Sequence, residues 1–345
     1  MFPVPRPANE GSLRGVGGTL RPALAGVAAL LVSFTPTASV HGQAATAAPP
    51  PSADNRVYVT NQQDDTLSVI DARTHKVLAT VPTGVGPEGV AVAKDRRHLY
   101  IADSGSAQVS VLDTGSYKTV ARVAVGKNPT GVGLSPDGRS LYVTNGTSNT
   151  VSVIDTRSDR ASATIPVGKS PVKVAFSRDG ARAYVANSGS GDLSVIDTHT
   201  RRVVRQMPAG RSPVAVAVTP DDKSAYVADE VGTQVLAIPT LSGKATSVNV
   251  GEGPFDVAVG PDGRFAYSTD LGPGNVSVID TGSKRVSATI ALGPPGTDPF
   301  NLEVTSHRIY VTNQGAGTLS VVDPSSHKIV ATVPVGTSPY GVAVS

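Results

Sequence analysis

An all-β fold, a seven-bladed β-propeller of four-stranded blades, is what this sequence predicts, on three observations. A tyrosine heading a short strand-like run recurs at Tyr58, Tyr100, Tyr142, Tyr184, Tyr226, Tyr267 and Tyr310, with spacings of 42, 42, 42, 42, 41 and 43 residues. Such a period holds four strands of about five residues and their turns, one propeller blade. The 345 residues include 36 glycines and 27 prolines, with aromatics at only 4%; these residues punctuate short strands and rarely sit inside helices. Finally, the first repeat starts at Arg56 with the second strand of the unit, whereas Gly341-Val342-Ala343-Val344-Ser345 is an inner strand with no blade after it. Pairing these fragments is expected to complete one blade and close the ring, leaving no open sheet edges to invite aggregation.

Within one unit each element has a local cause. The inner strand Gly131-Val132-Gly133-Leu134 runs into Ser135-Pro136-Asp137-Gly138, a sequence that reverses a hairpin. Leu141-Tyr142-Val143-Thr144-Asn145 follows, β-branched and aromatic as a pleated strand prefers. Val151-Ser152-Val153-Ile154-Asp155 alternates as a third strand, and Ala163 to Gly168 forms the outer one, with Pro166 where an edge strand tolerates it. A Gly-x-x-Pro segment then leads inward to the next blade.

The runs Tyr58-Val59-Thr60-Asn61, Tyr142-Val143-Thr144-Asn145 and Tyr310-Val311-Thr312-Asn313, with the Gly-Val-Ala-Val, Ser-Pro-Asp-Gly and Val-Ser-Val-Ile-Asp segments, match the YVTN repeat. Over residues 55–345 the chain resembles the YVTN-repeat, YncE-like β-propellers, a group that includes archaeal surface-layer proteins and exported bacterial proteins. The resemblance implies the fold; a propeller is a scaffold on which unrelated sites are built.

Residues 1–44 read as a secretory signal: Arg6, Arg14 and Arg21 flank or precede an apolar run, Ala23 to Phe34, and small residues follow up to Ala44. That run is shorter than the roughly 20 residues of a membrane span, so the mature chain is expected to carry no transmembrane anchor. Residues 45–54, rich in proline and alanine, read as an extended linker. A secreted or envelope-associated location is expected. The sequence contains no cysteine, which excludes disulfides, thiolate ligands and cysteine nucleophiles. Of the formal charge of +3, residues 1–44 hold three Arg and one Glu, leaving 27 basic and 26 acidic side chains. A near-neutral domain has no global field to attract polyanions, so nucleic acid is not expected as a partner.

Residues common to all blades are explained by the blade. Asn61, Asp103, Asn145, Asn187, Asp229, Asp270 and Asn313 close the tyrosine strands and are expected to bond the following loop. Asp71, Asp113, Asp155, Asp197, Asp280 and Asp323 start turns. The six histidines are scattered without ligand spacing, so no metal and no cofactor is predicted.

Function is sought where the copies diverge, at the channel mouth. The lead-in to the inner strand reads Glu88-Gly89, Thr130-Gly131, Val172-Lys173, Val214-Ala215, Phe255-Asp256, Phe300-Asn301 and Tyr340-Gly341. Glu88, Lys173, Asp256, Phe300, Asn301 and Glu303 are the candidate ligand-binding residues. Glu303 is the sharpest anomaly, because it stands where other inner strands carry alanine or glycine, and a carboxylate there must face the channel or carry a burial cost. Blade five, which lacks the Val-Ser-Val-Ile-Asp strand, and the long Leu292–Pro299 loop suggest one modified sector.

The leading expectation is a monomeric, exported binding module for a small molecule, glycan or envelope protein. An enzyme of lactonase or lyase type is the alternative, with Glu88, Asp256, Glu303 and Lys173 as acid-base candidates. Single-stranded DNA binding, implied by the resemblance to some YncE-like proteins, would require a basic groove with stacking aromatics; the chain has no tryptophan.

Overall fold

The computed structural model describes residues 55–345; the signal and linker segments read from the sequence lie outside the described residues. Twenty-eight strands, β1 to β28 in chain order, form seven four-stranded antiparallel sheets. Blade I consists of β28 (Pro339–Val344), β1 (Arg56–Asn61), β2 (Thr66–Asp71) and β3 (Val77–Pro82), in that order from the channel outward. The ring therefore closes as predicted, with Val57 opposite Val344, Tyr58 opposite Ala343 and Val59 opposite Val342. Blades II to VII follow, each headed by an inner strand: β4 (Pro87–Val92), β8 (Pro129–Leu134), β12 (Pro171–Phe176), β16 (Pro213–Val218), β20 (Pro254–Val259) and β24 (Pro299–Val304). Each inner strand starts with a proline, the strand position that needs no ladder donor. Consecutive inner strands pack on one another all the way round, β28 on β4 included.

The core lies between blades rather than within them. Tyr58, Leu67 and Val69 of blade I, for example, pack with Leu99, Ile101 and Leu112 of blade II. The repeated tyrosine rings are buried in these interfaces, and two of their hydroxyls reach the turn of a later blade, as where Tyr100 Oη donates to Asp159 Oδ1 at 3.1 Å. A large ring with a polar tip suits this place.

The threonine of the repeat stitches neighbouring blades. Thr144 Oγ1 accepts from Gly131 N at 2.8 Å and donates to Val172 O at 2.7 Å in the next blade. Thr60, Thr269 and Thr312 make the same pair of bonds. In blades II, IV and V alanine replaces the threonine; in IV and V the ladder itself reaches further, pairing Lys173 with Ala186 and Ala215 with Ala228, whereas in blade II Ala102 stays outside the ladder with β4. Thr144→Val removes a partner from two backbone groups at once, so it should cost about 2 kcal/mol, read as a lower midpoint in urea unfolding with an unchanged slope.

The Asn and Asp residues at the ends of the tyrosine strands are structural, with partners other than the expected loop. Asn61 Nδ2 donates to Thr66 Oγ1 and Ser68 Oγ, both at 3.0 Å on β2, and its Oδ1 accepts from Gly336 N of blade VII at 3.0 Å. Asp103 likewise accepts from Ser110 Oγ and from Gly84 N. In blades I, II, III, V and VI these groups lock the blade to the tail of the preceding one, whereas the Oδ1 of Asn187 and of Asn313 is buried without a partner. The glycine at that tail is dictated by contact: a Cβ on Gly84 would lie 2.2 Å from Asp103 Oδ2. The aspartates ending the third strands do start turns, as where Asp155 Oδ1 accepts from Arg157 N and Ser158 N.

The irregular blade V keeps its third strand, β18 (Gln234–Pro239), and shortens only the outermost one, β19 (Thr246–Asn249), leaving Leu241 93% exposed on the rim. Its irregularity is peripheral. Among the described residues no helix is long and apolar enough to cross a membrane.

Candidate functional site in the central channel

Seven inner strands converge on the axis, so equivalent positions form rings around it. At the third position the ring is Gly89, Gly131, Lys173, Ala215, Asp256, Asn301 and Gly341, and at the fifth it is Ala91, Gly133, Ala175, Ala217, Ala258, Glu303 and Ala343. Small residues prevail because the strands nearly touch: a Cβ on Gly131 would lie 2.2 Å from Val172 O, a backbone atom with little freedom to retreat. The departures from glycine and alanine fall in blades IV, VI and VII. They surround a cavity of about 120 Å³, lined among others by Lys173, Asp256, Asn301, Glu303, Phe255 and Tyr340.

Lys173 Nζ reaches past the small Ala215 of blade V to form an ion pair with Asp256 Oδ1. The Asp256 carboxylate is 1% exposed and fully occupied: Oδ1 also accepts from Val257 N at 2.7 Å, and Oδ2 accepts from Leu302 N at 3.0 Å. Such a satisfied arrangement is what a buried charge requires. Lys173 keeps about a third of its side-chain surface open to the channel.

Glu303 is different. Its side chain is exposed to the channel, while the surrounding ring of strands crowds out part of the water that would solvate its charge. That desolvation pushes its carboxyl up from 4.5 to about 7, Lys173 pulling it down and Asp256 adding to the rise. Asn301, two residues earlier on the same face of β24, has its Nδ2 buried without a hydrogen-bond partner.

Glu88 and Phe300 do not line this cavity. Glu88 is buried in a polar network with Gln62 Nε2 at 3.0 Å, Ser104, Thr130 and Tyr340. Burial raises its carboxyl and these hydrogen bonds lower it, for a net rise. The Tyr340 phenol is pushed well up by its own burial and by the neighbouring Glu88. Phe300 is sandwiched in an aromatic row, stacked on Phe255 with centroids 3.7 Å apart and meeting Tyr340 edge-on at 4.7 Å. Both residues brace the mouth. Gln62 and Ser104, which hold Glu88, are the partners that sequence reading missed; each directly follows the last residue of the tyrosine strand, a position whose identity varies from blade to blade. Among the described residues no group of three or more His, Cys, Asp or Glu side chains is placed to hold a metal ion.

The family profile described as YncE-like beta-propeller matches residues 38–135 and 134–224. The chain belongs to the YncE-like β-propeller family. Solved structures show the fold of this family member in varied settings. Hydrazine synthase from Kuenenia stuttgartiensis is 24% identical, with a TM-score of 0.68 over 75% of this chain and 89% of that one. A functionally unknown protein from Desulfotomaculum acetoxidans DSM 771 is 17% identical, with a TM-score of 0.69 over 84% and 99%. The periplasmic gluconolactonase of Pseudomonas aeruginosa is 19% identical, with a TM-score of 0.67 over 83% and 98%. At these identities the likeness is one of fold. Comparison with curated proteins finds no match.

Proposed function

We propose that this YncE-like propeller is an exported binding module whose central channel, at its mouth, holds a small polar molecule. The observation that carries this reading is the concentration of polar groups in one arc. In rings otherwise built of glycine and alanine, Lys173, Asp256, Asn301 and Glu303 converge on one cavity beneath an aromatic wall. A few placed polar groups in a largely apolar recess are the usual composition of a ligand site. Export is supported by the order of basic, apolar and small residues in 1–44.

Binding fits the groups better than acid-base catalysis of a lactonase kind does. Lys173 and Asp256 neutralise each other, and both Asp256 oxygens are occupied. Glu303 has proton-transfer capacity near neutrality, whereas cleavage also needs a partner to protonate the leaving group or attack the carbonyl.

A thermal-shift screen of the purified protein against neutral, cationic and anionic small molecules, lactones and glycans tests this. A compound that raises Tm of the wild type and of the rim variant Leu241→Ser, and has no effect on Glu303→Ala, is the expected result. Stabilisation that survives Glu303→Ala would move the site elsewhere, and turnover of a lactone would replace binding by catalysis.

A further inference from the structure

We infer that the channel ligand is a small organic cation, a protonated amine whose ammonium is held by Glu303 and whose carbon body rests against Phe255 and Tyr340. This inference rests on the reading of the channel as a binding site and gives that site its ligand class.

Charge is the first reason. Of the ionisable side chains at the cavity, Lys173 and Asp256 cancel in their ion pair. Glu303 receives no hydrogen bond from the protein; burial and the charges of Lys173 and Asp256 are what act on it. Ionising Glu303 therefore leaves the cavity with one net negative charge in a confined, poorly solvated space, where a counter-charge is worth more than in water. An ammonium group supplies both that charge and the donor that the carboxylate lacks.

The wall is the second reason. Phe255 and Tyr340 line the cavity and are held rigid through Phe300, which stacks on the one and meets the other edge-on. Aromatic rings that line the same cavity as a carboxylate suit a cation that also carries carbon, since carbon packs on the ring and the ring quadrupole favours positive charge. Size sets the third limit. A cavity of about 120 Å³ is somewhat smaller than the roughly 150 Å³ that accommodates benzene, which restricts the ligand to about four to six non-hydrogen atoms.

The charged and titratable groups facing Glu303 are Lys173 from β12, Asp256 from β20, Tyr340 from β28 with Glu88 bonded to it, and Tyr310, its cross-strand partner on β25 (Ile309–Asn313). Neither tyrosine titrates near neutrality, because burial raises both phenols. Glu303 is thus the group whose ionisation gates the site, and amine binding should strengthen as pH rises through about 7.

Three probes of matched size separate the possibilities in a ligand-observed NMR titration of the purified protein: n-propylamine, 1-propanol and propionate. The expected result is binding of propylammonium about tenfold tighter at pH 8 than at pH 6, as Glu303 passes from mostly protonated to mostly ionised. Glu303→Gln should abolish it. Glu303→Ala, which restores the residue found at this position in most other blades, should fold normally and also fail to bind. Preference for propanol or propionate in the wild type, lost in the same variants, would overturn the cation while leaving the channel as the binding site. Amine binding indifferent to Glu303→Gln would overturn the assignment of the carboxylate. Failure of all three probes to bind would overturn this inference and, if the wider screen also finds nothing dependent on Glu303, the channel reading with it.

Discussion

Removing Pro339–Ser345 is expected to abolish cooperative folding, although it deletes only seven residues. The segment is the inner strand of blade I: β28 supplies a full antiparallel partner for β1, the Gly341 N–H that bonds Thr60 Oγ1, and the buried side chains of Val342 and Ala343. It also packs on the inner strands of both neighbours, β4 and β24. Several hydrogen bonds near 1 kcal/mol each, the buried Val342 at about 1.5–3 kcal/mol and the partly buried Val344 at less together approach the lower end of the stability of an ordinary domain, roughly 5–15 kcal/mol. Truncation further leaves β1 as an unpaired edge, which templates association. Urea unfolding followed by far-UV circular dichroism, with size-exclusion chromatography, should show a broad or absent transition and aggregated material. A transition matching that of the intact chain would mean that closure of the ring contributes little.

Asp270→Asn is expected to stabilise the protein, by an amount that grows as pH rises from about 4 to about 6 and is full above it. Asp270 is fully buried, and burial raises its carboxyl from 3.8 to about 6 against the opposing hydrogen bonds from Ser277, Gly251 and Ser268. A carboxyl whose folded-state value is raised favours folding in its protonated form. That contribution is complete below about pH 3.8 and is lost as pH climbs through 6. The difference of roughly two pH units corresponds to about 3 kcal/mol as an upper bound. Blades I, III, IV and VII carry asparagine at this position, whose Nδ2 donates to the third strand. Asn275 stands opposite Asp270, and its Oδ1 is buried without a partner; an asparagine at 270 would give it a donor. Thermal unfolding of wild type and variant should therefore coincide near pH 4 and diverge at pH 8, the variant melting about 5 °C higher. Equal melting at pH 8 would show that the carboxylate is better solvated than its burial indicates.

Most of the fold was legible in the sequence because its cause is periodic. The tyrosine spacing, the strand-and-turn order of a single unit and the mismatched ends led to seven blades and to the pairing of β28 with β1, and this is the arrangement found. Roles that depend on the next blade were less legible. Thr144 reads as an ordinary β-branched strand residue, and its stitch to Val172 O appears only once two repeats lie side by side; for the same reason the strand-ending Asn and Asp read in one repeat as partners of the following loop. At the candidate site, comparing repeats in register singled out Lys173, Asp256, Asn301 and Glu303, whose departures from glycine and alanine are visible in one dimension. That Lys173 crosses a blade to reach Asp256 is not, since it depends on the small Ala215 between them. Glu88 and Phe300 looked equivalent to the others in sequence, yet packing turns Glu88 toward Gln62 and Ser104 and Phe300 between two rings.

Binding in the channel requires Glu303 to stand there as a carboxylate poised near neutrality beside the cavity. Its titration, followed by carboxyl ¹³C chemical shift in selectively labelled protein, measures this directly. A midpoint near 7 is expected, falling when propylammonium is added, since a bound cation favours the ionised form. A midpoint near 4.5 that is indifferent to every probe would describe a freely hydrated surface glutamate and rule out its role in the channel.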